Sequence, residues 1–225
     1  MKLAKDCIDV GVQTNTPEAM LNFWQQEIGL PHEELLKVGG GVHQHRHSLN
    51  GSVFKLNSVR DPLPSGDPTG YDELLIAKPG IEAPRHLVDP DGNKVTLVPE
   101  GYDGITHIGI RMKVSSLDKF RHFYNEVLDI DQVSDDVFRW GTTLFFLVED
   151  PSKTPAQEMR GIGYRYITVQ VWKVDEEHRA FLERGGSEGR APVTLGTTAR
   201  ISFIKDPDDN WIEVSQRASL TGDLS

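Results

Sequence analysis

The side chains best suited to chemistry in this sequence are polar residues set into apolar alternation. In the run 104–113, Gly-Ile-Thr-His-Ile-Gly-Ile-Arg-Met-Lys, period two puts His107, Gly109 and Arg111 on one strand face and Ile108, Ile110 and Met112 on the other. The same reading groups Tyr166, Thr168 and Gln170 on a second strand and Trp211, Glu213 and Ser215 on a third. An imidazole and a carboxylate are ligand types for iron, manganese, zinc or nickel. A tyrosine can donate its hydroxyl proton as a general acid. Each residue also has a structural alternative: His107 as a hydrogen-bonded core histidine, Glu213 in a salt bridge to Arg111, Tyr166 as an aromatic wall.

Other constellations are weaker. His43, His45 and His47 alternate on one side of a strand and read as a polar edge. Cys7 is the only cysteine, which excludes an internal disulfide and a cysteine-based zinc site. Gly39-Gly40-Gly41 lacks the Lys-Ser/Thr of a phosphate loop and reads as a hairpin turn or flexible lip, and no Gly-x-Ser-x-Gly elbow is present. Asp175-Glu176-Glu177 is explained as acid near the positive end of a helix. The net charge of -10, with no basic stripe, argues against nucleic acid and for a small-molecule substrate. No apolar run is long enough for a membrane helix and the amino terminus lacks a secretory pattern, so a cytoplasmic protein is expected, with a homodimer as an open question.

The elements that must position these residues occur twice. Residues 7–14 alternate as a strand, and Asn15-Thr16-Pro17-Glu18 opens a helix through Phe23 and Trp24 that stops at Gly29. Residues 104–113 repeat the strand, and Ser115-Ser116-Leu117-Asp118 opens a helix over 116–128. Asp89-Pro90-Asp91-Gly92-Asn93 and Asp206-Pro207-Asp208-Asp209-Asn210 each feed a closing strand, and Gly70-Tyr71 and Gly163-Tyr164 match upstream of them. Two domains follow, 1–101 and 104–217, with 218–225 as a tail. The second holds a further helix at 175–185. The first leaves too little chain between Lys78 and Arg85 for its counterpart, and the Pro-rich segments 60–70 and 150–160 read as surface loops.

The strand Thr106-His107-Ile108-Gly109-Ile110, the helix ending Phe123-Tyr124-Asn125-Glu126-Val127-Leu128 and the close Asp206-Pro207-Asp208-Asp209-Asn210-Trp211-Ile212-Glu213-Val214 resemble the vicinal-oxygen-chelate superfamily of glyoxalases, bleomycin resistance proteins and extradiol dioxygenases. The resemblance implies an α+β fold: two tandem domains of paired βαβββ units, each a curled mixed sheet around a cup. It implies a divalent metal in the cup, held from the first, fifth and last strands, and in some members the fourth. Carried onto this sequence, the ligands are His107 and Glu213; the fifth-strand match is Tyr166, where relatives have histidine, so Tyr166 becomes the candidate acid.

Arg111, Thr168 and Trp211 remain to contact substrate. Asp9, Glu73 and Thr96 are the corresponding residues of the first half, too poor in ligands for a second centre. Two classes of function stay open. One is a metal-dependent dioxygenase or lyase/isomerase acting on neighbouring oxygens. The other is a metal-free binding protein whose cup is lined by Trp140, Phe145, Tyr166 and Trp211. Half-domains could also exchange partners, which would separate His107 from Glu213.

Overall fold

A computed structural model describes residues 1–64, 68–156, 158–222 and 224. The expected loops at 60–70 and 150–160 thus lie partly outside the described residues. Four consecutive units build the chain. The first holds β1 (Asp9–Thr14), α1 (Pro17–Asn22), β2 (His32–Gly39), β3 (Val42–Leu49) and β4 (Ser52–Val59). The second holds β5 (Tyr71–Ala77), β6 (Arg85–Val88) and β7 (Lys94–Val98) without a helix, as its short sequence requires. The third holds β8 (Ile108–Val114), α2 (Leu117–His122), β9 (Asp131–Ser134), β10 (Val137–Trp140) and β11 (Thr143–Glu149). The fourth holds β12 (Gly163–Gln170), α3 (Val174–Glu183), β13 (Ser187–Leu195), β14 (Ala199–Lys205) and β15 (Trp211–Arg217), and α4 (Ala218–Thr221) occupies the expected tail.

The sheets do not follow the two halves. One sheet runs β13-β14-β15-β12-β1-β4-β3-β2, the other β6-β7-β5-β8-β11-β10-β9. The first unit therefore pairs with the fourth and the second with the third, so neither cup coincides with 1–101 or 104–217. The junctions are antiparallel pairings of opening strands: β1 on β12, with Asp9 opposite Thr168 and Gly11 opposite Tyr166, and β5 on β8, with Glu73 opposite Arg111. This is the exchanged arrangement.

Sequence neighbours meet instead through the core and the helix starts. The apolar alternates Ile108, Ile110 and Met112 join Val10, Trp24, Phe54, Leu74, Tyr124, Ile167 and Val214 in one continuous core between the sheets. In each closing turn the leading aspartate holds the bend: Asp89 accepts from the Asp91 and Asn93 amides, and Asp206 accepts from the Asp208 and Asn210 amides. The next aspartate grips the neighbouring unit's helix start. Thr16 donates to Asp91 and the Ser115 amide to Asp208. The Asp-Pro-Asp motif is thus a clamp between consecutive units rather than only a turn.

Both first helices end in a π turn, with the Ile28 amide bonded to Phe23 O and the Leu128 amide to Phe123 O. Phe23 therefore matches Phe123 and Ile28 matches Leu128, which fixes the repeat and corrects the expected correspondence. His107 matches Cys7, and Arg111 matches Gly11; Asp9 matches Gly109. No described helix is long and apolar enough to cross a membrane.

The glycine run turns the β2–β3 hairpin, all three residues having positive φ. The histidines of that hairpin are a cluster and not merely an edge: His32 lies 5.3 Å from His47 and 5.8 Å from His45 between ring centroids. His47 is fully buried, its Nε2 3.0 Å from Gln25 Nε2. Burial first, then His32, pushes its pKa down to about 4. The folded state therefore resists protonation that the unfolded chain accepts near 6.5. Stability should fall as pH drops from about 6.5 to about 4, by roughly 2–3 kcal/mol for this group. Urea unfolding across that window checks it, and His47→Gln should flatten the decline; an identical decline in the variant contradicts the assignment.

Candidate functional site

The larger sheet carries the candidate site on its polar face. From β4, Lys55 Nζ donates to Thr168 Oγ1 on β12 at 2.7 Å and meets Glu213 Oε2 on β15 at 2.9 Å. Thr168 in turn donates to the same carboxylate oxygen at 2.6 Å. Register sets this up, because Gly11 lies beside Lys55, Asp9 beside Thr168 and Thr168 beside Glu213. Lys55 is 3% exposed, so its ammonium is withdrawn from water and this carboxylate is its charge partner.

Tyr166 stands beside the pair. A Cβ on Gly11 would fall 2.3 Å from the Tyr166 ring, so the glycine is what lets that ring lie flat across β1. Its hydroxyl thereby reaches β3 and β4, accepting from Asn57 Nδ2 at 3.2 Å and Gln44 Nε2 at 3.4 Å. Asn57 also binds Val12 O, and its Oδ1 accepts from Gln44, so the amides are anchored. With both neighbours donating, the Tyr166 O–H has no acceptor among the described residues and is available to a ligand. Burial, then the negative Glu213, raises the Tyr166 pKa well above its ordinary value. It keeps its proton at neutral pH.

Around these groups sit Asp9, held by Lys5 Nζ and the Val53 amide at 2.8 Å each, and Arg46, which donates to Gln44 Oε1 at 3.1 Å. Glu34 on β2 lies 3.6 Å from both Arg46 and Arg217. Four strands of the sheet separate β2 from β15, so that contact means the sheet has curled far enough to bring its β2 edge across the cup to β15.

The smaller sheet's cup is different in kind. Leu75, Ala77, Val98, Ile105 and Leu144 fill it. At its rim Glu73 is ion-paired to Arg111, accepts from Thr96, and Thr96 meets His86 Nδ1 at 2.8 Å.

These placements revise the sequence expectations. Tyr166, Thr168 and Glu213 share the larger cup. His107 does not: it precedes β8 in the other sheet, its carbonyl accepting from the Ala77 amide and Asn50, its Nδ1 3.0 Å from Thr106 Oγ1. The pairing of His107 and Glu213 on one metal is therefore corrected, because β8 bonds to β5 and β11 while β15 bonds to β12 and β14.

Arg111 serves Glu73 and not the Glu213 cup. Trp211 packs edge-on to Phe203, with the Lys205 ammonium 4.8 Å over its ring, at one end of the larger sheet. Trp140 and Phe145 lie in the core with Tyr124 and Phe138, not in a cup. Sequence reasoning misses Lys55, Gln44, Arg46 and Asn57, although alternation along β3 and β4 puts them on one face, because no motif marks those strands.

A metal fits this donor set poorly. On the cup's first, fourth, fifth and last strands the polar residues that meet are Asp9, Lys55, Thr168 and Glu213, and the ammonium already neutralises the Glu213 carboxylate. Among the described residues no three His, Cys, Asp or Glu side chains are grouped to hold a metal ion.

Residues 104–214 match the model of the glyoxalase/bleomycin resistance protein/dioxygenase superfamily. Over that stretch the chain belongs to the superfamily, and its full length has the superfamily's tandem fold. Solved structures agree at the level of fold. A point mutant of Zea mays glyoxalase I is 14% identical with a TM-score of 0.74, covering 100% of this chain and 96% of its own. Zea mays glyoxalase I itself is 15% identical with a TM-score of 0.69, covering 93% and 92%. A dioxygenase-like protein of Bacillus subtilis is 14% identical with a TM-score of 0.66, covering 100% and 91%. No curated protein matches the sequence.

Gly11→Ala should cost about 1–3 kcal/mol by forcing the Tyr166 ring out of place. Urea denaturation measures it, and the cost should shrink in a Tyr166→Ser background. An equal cost in both backgrounds would show that the ring is not what the glycine accommodates.

Proposed function

We propose that the chain binds a small, oxygen-bearing molecule in the larger cup without a resident metal, Lys55 supplying the positive charge that a divalent ion supplies in relatives. One observation carries this reading: the Lys55 ammonium sits on Glu213 and Thr168, on the fourth strand of a superfamily cup. In a cup shielded from water a fixed ammonium stabilises negative charge on a bound oxygen far better than it does in bulk solvent. The unassigned Tyr166 proton lies on the same side, ready to be donated to a second, neighbouring oxygen.

The same arrangement supports a lyase or isomerase as well as a binding protein. Negative charge on a ligand oxygen would meet Lys55 as electrostatic partner and the Tyr166 hydroxyl as proton donor. Asp9 is the carboxylate nearest along the register, and Lys5 Nζ and the Val53 amide both donate to its Oδ1. The metal-dependent dioxygenase or glyoxalase reading is less well supported, since it would require Glu213 to exchange a lysine partner for a cation.

Elemental analysis of untagged protein separates the two. The expected result is sub-stoichiometric divalent metal, equally low in Glu213→Gln. About one equivalent per chain in the wild type, falling about tenfold in that variant as loss of a ligand would require, is the contrary outcome.

A further inference from the structure

We infer that Arg46 and Arg217 form an anion subsite at the mouth of the cup, and that the carboxylate of Glu34 holds the place of a ligand's carboxylate or phosphate group. The inference rests on the larger cup being the binding site and adds the chemical class of what enters it.

Two guanidinium groups here lack the partners their burial calls for. The Arg46 side chain is 9% exposed, and its only hydrogen bond among the described residues is the one to Gln44. Arg217, 22% exposed, has no side-chain hydrogen bond among them. Each guanidinium carries five donors and cannot shed its charge. Both guanidinium groups lie 3.6 Å from one Glu34 oxygen, and burial, then the nearby Arg46, lowers the Arg217 pKa.

One carboxylate answers both. Glu34 Oε2 stands 3.6 Å from Arg46 Nε and 3.6 Å from Arg217 Nη2, too far for a good hydrogen bond and about one ångström beyond charge-assisted contact. Glu34 itself is 47% exposed and belongs to β2, an edge strand exposed along nearly its whole length. A loosely held, water-facing carboxylate on an edge strand is replaceable; the buried arginines are not. The other charged groups facing Arg217, Asp9 and Glu213, are already engaged by Lys5 and Lys55.

Arg46 is also the register neighbour of Lys55, so an anion seated between the arginines would point the rest of its molecule toward Lys55 and Tyr166. The ligand class is therefore a small molecule with an oxyanion at one end and oxygen substituents a few bonds away. The forked donors suit either a carboxylate or a phosphate.

Titration calorimetry of chelator-treated full-length protein with inorganic phosphate and, separately, malonate tests the subsite. Removing the competing carboxylate in Glu34→Gln should tighten the preferred anion about tenfold, and Arg217→Gln added to it should reverse that gain, the scale of one charge-assisted contact. Tighter phosphate than malonate identifies a phosphate-bearing ligand; the reverse order identifies a carboxylate. Equal affinity in wild type and Glu34→Gln overturns the proposal, as does a Glu34→Gln/Arg217→Gln double variant that binds as tightly as Glu34→Gln. Should Arg217→Gln fail to fold, Arg217→Lys keeps the charge without the fork and should still lose most of the gain; full retention overturns the proposal. A bound metal in elemental analysis would count against the metal-free cup while leaving this anion result to stand or fall separately.

Discussion

Antiparallel pairing of β1 with β12 is the constraint from which the rest of the molecule follows. It joins the opening strands of the first and last units, placing Asp9 against Thr168 and Gly11 against Tyr166, and through β4 and β15 it brings Lys55 to Glu213. Each of the four opening strands has one edge its own unit does not cover, and pairing first unit with fourth and second with third covers all four. Consecutive units then keep contact through the shared core and the clamps at Asp91 and Asp208.

The two cups show what happens when a duplicated frame is furnished differently. At equivalent positions one has Tyr166 and Glu213, the other Glu73 and Thr96. In the first, a lysine from a third strand answers the glutamate and the surroundings stay polar, with Gln44, Asn57 and Arg46. In the second, Arg111 answers Glu73 and leucine, valine and isoleucine fill the remaining space. Breaking either ion pair would strand a poorly solvated charge, at a cost of several kcal/mol, which is why each is a strong determinant of local structure.

The repeat, the strand faces and the superfamily are legible in the sequence, since each depends on spacing within a short stretch. Ile108, Ile110 and Met112 face the core as alternation requires, and the second unit lacks its helix because only a few residues span the gap. Which sheet a strand joins is not legible in the same way. Period-two patterning fixes the buried face of β8 and of β15, yet it is silent on whether their polar faces meet, and it is the superfamily resemblance, applied to 104–217 as one domain, that puts His107 and Glu213 in one cup. The identity of Glu213's partner depends on long-range register, and Lys55 lies 158 residues away. The strand Ser-Val-Phe-Lys-Leu-Asn-Ser-Val shows its lysine and asparagine on one face, a signal that points to Lys55 and Asn57 once a lysine set in an apolar strand is read as a site in its own right.

The most direct measurement of the central claim is a double-mutant cycle on Lys55 and Glu213, using Lys55→Met and Glu213→Leu and equilibrium unfolding in urea. If the two charges meet in one cup, each single change should cost about 3 kcal/mol or more while the pair together costs much less than the sum, a coupling on the order of 2 kcal/mol. Additive costs for Lys55 and Glu213, with coupling appearing instead between His107 and Glu213, would contradict the exchanged sheets and the lysine-centred cup alike.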